Sequence, residues 1–293
     1  MPKIKDRISF YDQIARNKRN SIFLMIIVII VLILLSYVIG LIVQDVFLIL
    51  ILGIIITISY VLISYYNSDK IALASVGAKL ADPNQNRQLY NSVEGLCLAS
   101  GLPKPKIYIM PGEQINAFAT GRNPKISVIC VTEGALKKLN KQELEGVLGH
   151  ELSHVANYDI RFMTLVAVMV GLIAIISQIF LRSLRFSSGG RGKGKAILVL
   201  IGIVLAILAP IAVTLVQLAI SRKREYAADA SSVKFTRSPT GLISALRKIK
   251  TETQPLKVSG AVAPLFISNP FKSSAIFQTH PPIDSRIKIL EAM

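Results

Sequence analysis

His150 and His154 stand four residues apart in Gly149-His150-Glu151-Leu152-Ser153-His154, with Glu151 directly after the first histidine. On an α-helix such positions lie about 40° apart around the axis and one turn along it, so both imidazoles can reach one ion. Neutral imidazole suits zinc, and a catalytic zinc site takes three protein ligands and leaves a fourth position for water. The ion lowers the pKa of that water and polarises a scissile carbonyl. Glu151 is then placed as the general base, accepting the water's proton and passing it to the leaving amine. The pattern predicts a zinc metalloendopeptidase with one Zn2+ per chain. The chain has only three histidines, and two of them are in this motif.

The third ligand must come from elsewhere. A metzincin continuation would need glycine and histidine where Asn157 and Ile160 stand, which excludes that subclass. Two candidates remain, Glu225 in Glu225-Tyr226-Ala227-Ala228-Asp229 and His280 in Thr279-His280-Pro281-Pro282. Glu225 is preferred, because a carboxylate on a second helix completes the His₂Glu set of thermolysin-type sites. Asp229, four residues on, shares its face and can hold a histidine N–H. The bland alternative for Glu225 is a surface pair with a neighbouring Lys or Arg.

These residues need elements to hold them. Asn140 with Glu143 three residues later predicts a capping box, and Leu144, Val147, Leu148 and Val155 give the helix that follows one apolar face. Turn signals stand at Asp82-Pro83, Gly101-Leu102-Pro103, Pro111-Gly112 and Asn123-Pro124, and Lys106 to Met110 and Ile126 to Val131 read as short strands between them. Ile71 to Ser100 reads as helical. Cys97 and Cys130 lack C-x-x-C partners and read as core thiols.

The remainder is written for lipid. Of 293 residues 52% are apolar and the mean hydropathy is +0.53, well above a soluble domain. Four apolar runs carry the excess: Ile22 to Val43, Val46 to about Ser64, Phe162 to Leu181 and Ala196 to Ile220, each near the roughly 20 residues that cross a bilayer. Lys3, Lys5, Arg7, Arg16, Lys18 and Arg19 precede the first run, and Gln44-Asp45 between the first two carries no positive charge, so the N-terminus is read as cytoplasmic. Arg182, Arg185, Arg191, Lys193 and Lys195 between the third and fourth runs oppose this arrangement. That loop is either an exception to the rule or part of a hairpin that does not fully cross. Much of the net charge of +17 flanks the apolar runs, without any nucleic-acid motif, which points to anionic headgroups rather than nucleic acid.

The organisation read from this is a cytoplasmic segment 1–21, two membrane helices in 22–65, a first catalytic part 66–160, two further membrane helices in 161–220, and a second catalytic part 221–293. The fold class is a multi-pass α-helical membrane protein with a cytoplasmic α+β zincin-like metalloprotease domain.

Taken in order, Asn116-Ala117-Phe118-Ala119-Thr120-Gly121, the His150-Glu151-x-x-His154 helix, two apolar runs, Glu225-x-x-x-Asp229, and Thr279-His280-Pro281-Pro282 with Arg286 after it resemble the HtpX-like membrane metalloproteases, relatives of the CAAX prenyl endopeptidases. The resemblance implies His150, His154 and Glu225 as zinc ligands, Glu151 as base and Asp229 as a partner orienting a ligand. It makes His280 and Arg286 candidates to stabilise the oxyanion or position substrate. It also implies an edge strand at Asn116, Ala117, Phe118 and Ala119 on which an extended substrate pairs through its backbone. The implied work is turnover of damaged membrane proteins in a bacterial inner membrane, under stress. Against it stand a zinc-binding scaffold or sensor, for which Glu151 has no use, a dedicated prenyl-peptide protease, which needs more spans, and an intramembrane protease of the site-2 type, whose histidines would lie inside an apolar run.

Overall fold

The computed structural model describes residues 10–169, 202, 222–252, 258, 262–268 and 281–293. Most of the third apolar run, the basic loop after it, the fourth run and His280 lie outside the described residues.

The first two apolar runs are helices α1 (Phe10–Val43) and α2 (Val46–Ser75). Gln44, at φ 63°, reverses the chain, and the Asp45 side chain caps α2 by accepting from the Leu48 amide. Both helices are long and apolar enough to cross a membrane. They expose large apolar side chains such as Phe23, Phe47 and Ile56, an arrangement that water penalises and lipid does not. Each helix outruns its apolar stretch, and α2 carries its last turns into the folded domain.

That domain is built on a four-stranded sheet of order β1-β2-β4-β3, with β1 Lys79–Leu80, β2 Lys106–Met110, β3 Ala117–Asn123 and β4 Ile126–Thr132. β2 and β4 run parallel, and the other two pairings are antiparallel. Alternation along the strands divides two cores. Ile107, Ala117, Ala119, Ile129 and Val131 face one core, while Met110, Phe118, Val128 and Cys130 face the other. The first core is closed by α3 (Arg87–Ser100), α5 (Lys141–Ala156) and α8 (Thr240–Thr251); the second is closed by Ala72, Leu73 and Val76 at the end of α2 and by Val262, Leu265 and Phe266. A short α4 (Glu133–Lys138), a helix over 159–169 called α6 here, α7 (Arg222–Thr236) and α9 (Ile283–Leu290) complete the described helices.

The predicted strands agree with β2 and, to one residue, with β4. The expected helix from Ile71 to Ser100 is corrected: it breaks after Ser75, because Gly77 takes φ +64° and the chain forms β1 and a turn at Asp82-Pro83 before α3 begins. Cys97 and Cys130 are buried and free, and burial pushes the Cys97 thiol up to about 11, so it stays protonated.

Helix α5 is the centre of the domain. Asn140 and Glu143 form the expected capping box, each side chain accepting from the other's amide. Close approach to its neighbours requires glycine: a Cβ on Gly146 would lie 2.5 Å from the Leu242 amide nitrogen of α8, and one on Gly149 would lie 2.8 Å from Ser232 Oγ of α7. Ser232 Oγ donates to the Gly146 carbonyl at 2.7 Å across the same seam. Gly146→Ala is therefore expected to destabilise the domain by about 1–3 kcal/mol, the cost of overpacking against backbone atoms that cannot rotate away. This holds although alanine is the better helix former by about 1 kcal/mol. Thermal unfolding in detergent reads it, and an unchanged midpoint would show that α5 and α8 separate freely.

Candidate active site

The second half of α5 carries His150, Glu151 and His154, all buried. The two imidazoles meet as the helical spacing requires, with Nε2 atoms 3.3 Å apart and ring planes at 85°. Glu225 comes in from α7, its Oε2 3.5 Å from His150 Nε2 and its Oε1 3.7 Å from His154 Nε2. One donor atom from each of the three lies within 4.8 Å of the others, a spacing that can hold a metal ion.

Each histidine is held from behind. His150 Nδ1 donates to Asp229 Oδ1 at 2.9 Å, and His154 Nδ1 donates to Asp159 Oδ2 at 3.0 Å. With Nδ1 carrying the proton, both Nε2 lone pairs face Glu225 and are available to a cation. Asp229 in turn is gripped by Arg286 of α9, whose Nε and Nη2 donate to Oδ2 at 2.9 Å and Oδ1 at 2.6 Å, while Nη1 donates to the Ile267 carbonyl at 3.2 Å. Arg286 is thus placed behind His150, 1% exposed, and not solvated.

The electrostatics suit a cation. Burial and the Arg286 guanidinium pull the His150 ring down, yet the Asp229 and Glu225 carboxylates outweigh them and leave it raised to about 9. Burial likewise lowers the His154 ring, and Asp159 and Glu225 outweigh it. The negative potential that favours a second proton on these rings equally favours a dication, which would displace that proton from Nε2, so the donor set fits a metal. Burial would raise the Asp229 carboxyl, but Arg286 and His150 hold it well below its ordinary value. Burial also raises the Glu151 carboxyl, and the two imidazoles pull it only partly back. Among the described residues neither Glu151 oxygen reaches a hydrogen-bond partner, although the Ala119 amide faces it. A buried carboxylate with open acceptor sites is poised to receive a proton.

Asn116 directly precedes β3, and Ala117, Phe118 and Ala119 open it, all four buried. The edge expected to receive substrate is partly occupied by the chain itself. The Ile267 amide donates to the Ala117 carbonyl at 2.9 Å, Asn116 Nδ2 donates to the Ser268 carbonyl at 3.1 Å, and Phe118 packs on Phe266 with centroids 5.2 Å apart. Alternation then leaves Ala119, two residues on from Ala117, as the outward-facing backbone beside Glu151.

This chain matches peptidase family M48 over residues 83–293, most of its length. The chain belongs to family M48. It is a metalloendopeptidase, a hydrolase of peptide bonds, of the HtpX-like kind. A protease HtpX homolog of Caldanaerobacter subterraneus is 51% identical to this M48 peptidase over 239 residues, covering 79% of this chain and 80% of the relative. One from Dictyoglomus turgidum is 44% identical over 293 residues, covering 97% and 95%. Among solved structures, S. mikatae Ste24p is similar with a TM-score of 0.47 at 18% identity, covering 80% of this chain and 58% of that one.

Two contributors to the site escape a reading of the sequence, Asp159 and Asn17. Asp159 stands beyond the end of α5 and reaches back to His154 only because Tyr158 takes φ 59°. Its one linear signal is an acid five residues after the second histidine. Asn17 lies 142 residues before Asp159, with no linear signal at all.

Proposed function

We propose that this M48 peptidase is a zinc-dependent endopeptidase of the bacterial inner membrane, cleaving misfolded or damaged membrane proteins on the cytoplasmic side. The observation that carries the reading is the convergence of His150, His154 and Glu225 within 4.8 Å, with Glu151 buried beside them. His150, His154 and Glu225 would hold the ion, and imidazole with carboxylate is the usual zinc set. When bound, the ion supplies Lewis acidity toward a water and the scissile carbonyl.

The protein's own residues do the remainder. Asp229 and Asp159 keep each ring in the tautomer that presents Nε2. Glu151 accepts a proton from the attacking water and returns it to the amine nitrogen as the C–N bond breaks, so that the carboxylate is regenerated. The outward backbone of Ala119 can pair with an extended substrate, a recognition that asks little of side-chain sequence. His280 and Arg286 are carried as candidates for stabilising the oxyanion or positioning substrate. The geometry favours a positioning role for Arg286, since its guanidinium is engaged by Asp229.

A membrane substrate is supported by where the site is anchored. The end of α2 packs on the sheet that supports the site, and α6, where the third apolar run begins, starts three residues after α5 ends. The basic N-terminal flank supports a cytoplasmic site and a multi-pass chain.

Detergent-purified protein is expected to carry one zinc ion and to cleave an unfolded membrane-protein substrate. Chelation should stop cleavage, and added Zn2+ should restore it. Substrate supplied outside inverted vesicles, but not right-side-out ones, should be cut. Zinc without cleavage would support a scaffold or sensor, cleavage restricted to prenylated peptides a dedicated processing enzyme, and cleavage in right-side-out vesicles would overturn the sidedness.

A further inference from the structure

A buried asparagine is costly unless its amide is paired. Asn17 of α1 is 3% exposed, and both hydrogens of its Nδ2 are used. One goes to Asp159 Oδ1 at 2.5 Å and the other to the Asn157 carbonyl at 2.9 Å. The next residue, Lys18, sets its Nζ 4.3 Å from the centroid of the Tyr158 ring, and Ser21 Oγ donates to the Asn17 carbonyl at 2.9 Å. Two adjacent residues of α1 therefore grip three consecutive residues, 157–159, which form the turn immediately beyond the metal-binding helix. That turn is backbone-strained, because Tyr158 is left-handed without being glycine.

We propose that Asn17 makes the first membrane helix part of the metal centre, as a positioning residue that orients Asp159 and, through it, the His154 ring. The inference rests on the reading of His154 as a metal ligand. Asp159 divides its two oxygens: Oδ2 accepts from His154 Nδ1 at 3.0 Å, and Oδ1 accepts from Asn17, with Arg224 Nη1 more distant at 3.9 Å. Removing the amide releases one side of the carboxylate and one hold on the strained turn, and the ring it aims loses its fixed direction. Partners of this kind behind a ligand typically account for about 10–100-fold in metal affinity or activity. Asn17 acts one step further back, so the lower end of that range is expected.

A merely structural anchor of α1 would give a different pattern, and Leu24 supplies the comparison. It lies seven residues along the same helix and shares an apolar cluster with Phe162, Leu165, Val166 and Met169 of α6. In the full chain in detergent, Zn2+ affinity is measured by chelator competition, and the Co2+-substituted absorption spectrum reports ligand geometry. Asn17→Ala is expected to weaken Zn2+ binding about tenfold, to shift the Co2+ spectrum, and to lower kcat more than it raises KM. Asn17→Asp, of the same size but with a carboxylate facing Asp159, should weaken binding further. Leu24→Ala should lower the thermal midpoint and leave affinity and spectrum as in the native chain. If Asn17→Ala proves unfolded, Asn17→Ser is read the same way.

Native affinity and spectrum in the Asn17 variants overturn the proposal and leave Asn17 as a helix anchor. Equal loss of affinity in Leu24→Ala overturns it too. A native chain that takes up no metal overturns both this inference and the reading beneath it, whereas a native chain that binds metal while the Asn17 variants match it overturns this inference alone.

Discussion

Glu151→Gln is expected to cut peptide hydrolysis by about 10²–10⁴-fold, the usual contribution of a positioned general base, while bound metal stays at its native level. Glutamine nearly keeps the side-chain volume and cannot take the water's proton. The metal should stay because Glu151 is not among the three groups that converge, and the rings that do are held by Asp229 and Asp159. Fold stability should be preserved or slightly raised. Burial and the nearby Glu225 carboxylate disfavour the Glu151 charge, and among the described residues its oxygens make no hydrogen bond that the substitution would break. Metal content, turnover and thermal midpoint measured on one preparation check this. Loss of metal together with activity would make Glu151 a ligand, and retained turnover would remove it from the chemistry.

Arg286→Met is expected to destabilise the folded domain by about 3–5 kcal/mol, the cost of removing one partner from a buried ion pair. Arg286 and Asp229 are each 1% exposed, so no water replaces the guanidinium around the carboxylate. The same change frees Asp229 to turn away from His150 Nδ1, and zinc affinity should fall by roughly 10–100-fold. Methionine fills much of the space, which separates the loss of charge from the opening of a cavity. Chemical unfolding in detergent and chelator competition read the two effects. If only kcat fell, with affinity and stability native, Arg286 would be acting on substrate and its pairing with Asp229 would be incidental.

Both expectations bear on the same residue pattern. In the sequence Arg286 is a charge on a short amphipathic segment near the C-terminus, where solvation is the ordinary outcome. Burial of α9 against α7 turns it into the base of a relay that runs from the Ile267 carbonyl through Asp229 to His150. Its partner, Asp229, was legible because helical periodicity places it on the Glu225 face.

The sequence by itself determined whatever depends on neighbours along the chain. The i, i+4 histidines with Glu151 between them, the Asn140–Glu143 cap, β2 and β4, the helices α1 and α2 and the Glu225–Asp229 face all follow from local spacing and composition. The tertiary structure alone decided what depends on chain reversals and on distant segments meeting. Gly77 broke an expected helix, and Tyr158 folded Asp159 back onto His154. Residues 266–268 took the first part of the β3 edge, and Asn17 came 142 residues along the chain to close the far side of Asp159. The physical reason is that a hydrogen bond between remote residues leaves no periodicity in either segment, so Asn17 reads as an ordinary polar residue of the N-terminal flank until its partner is in place.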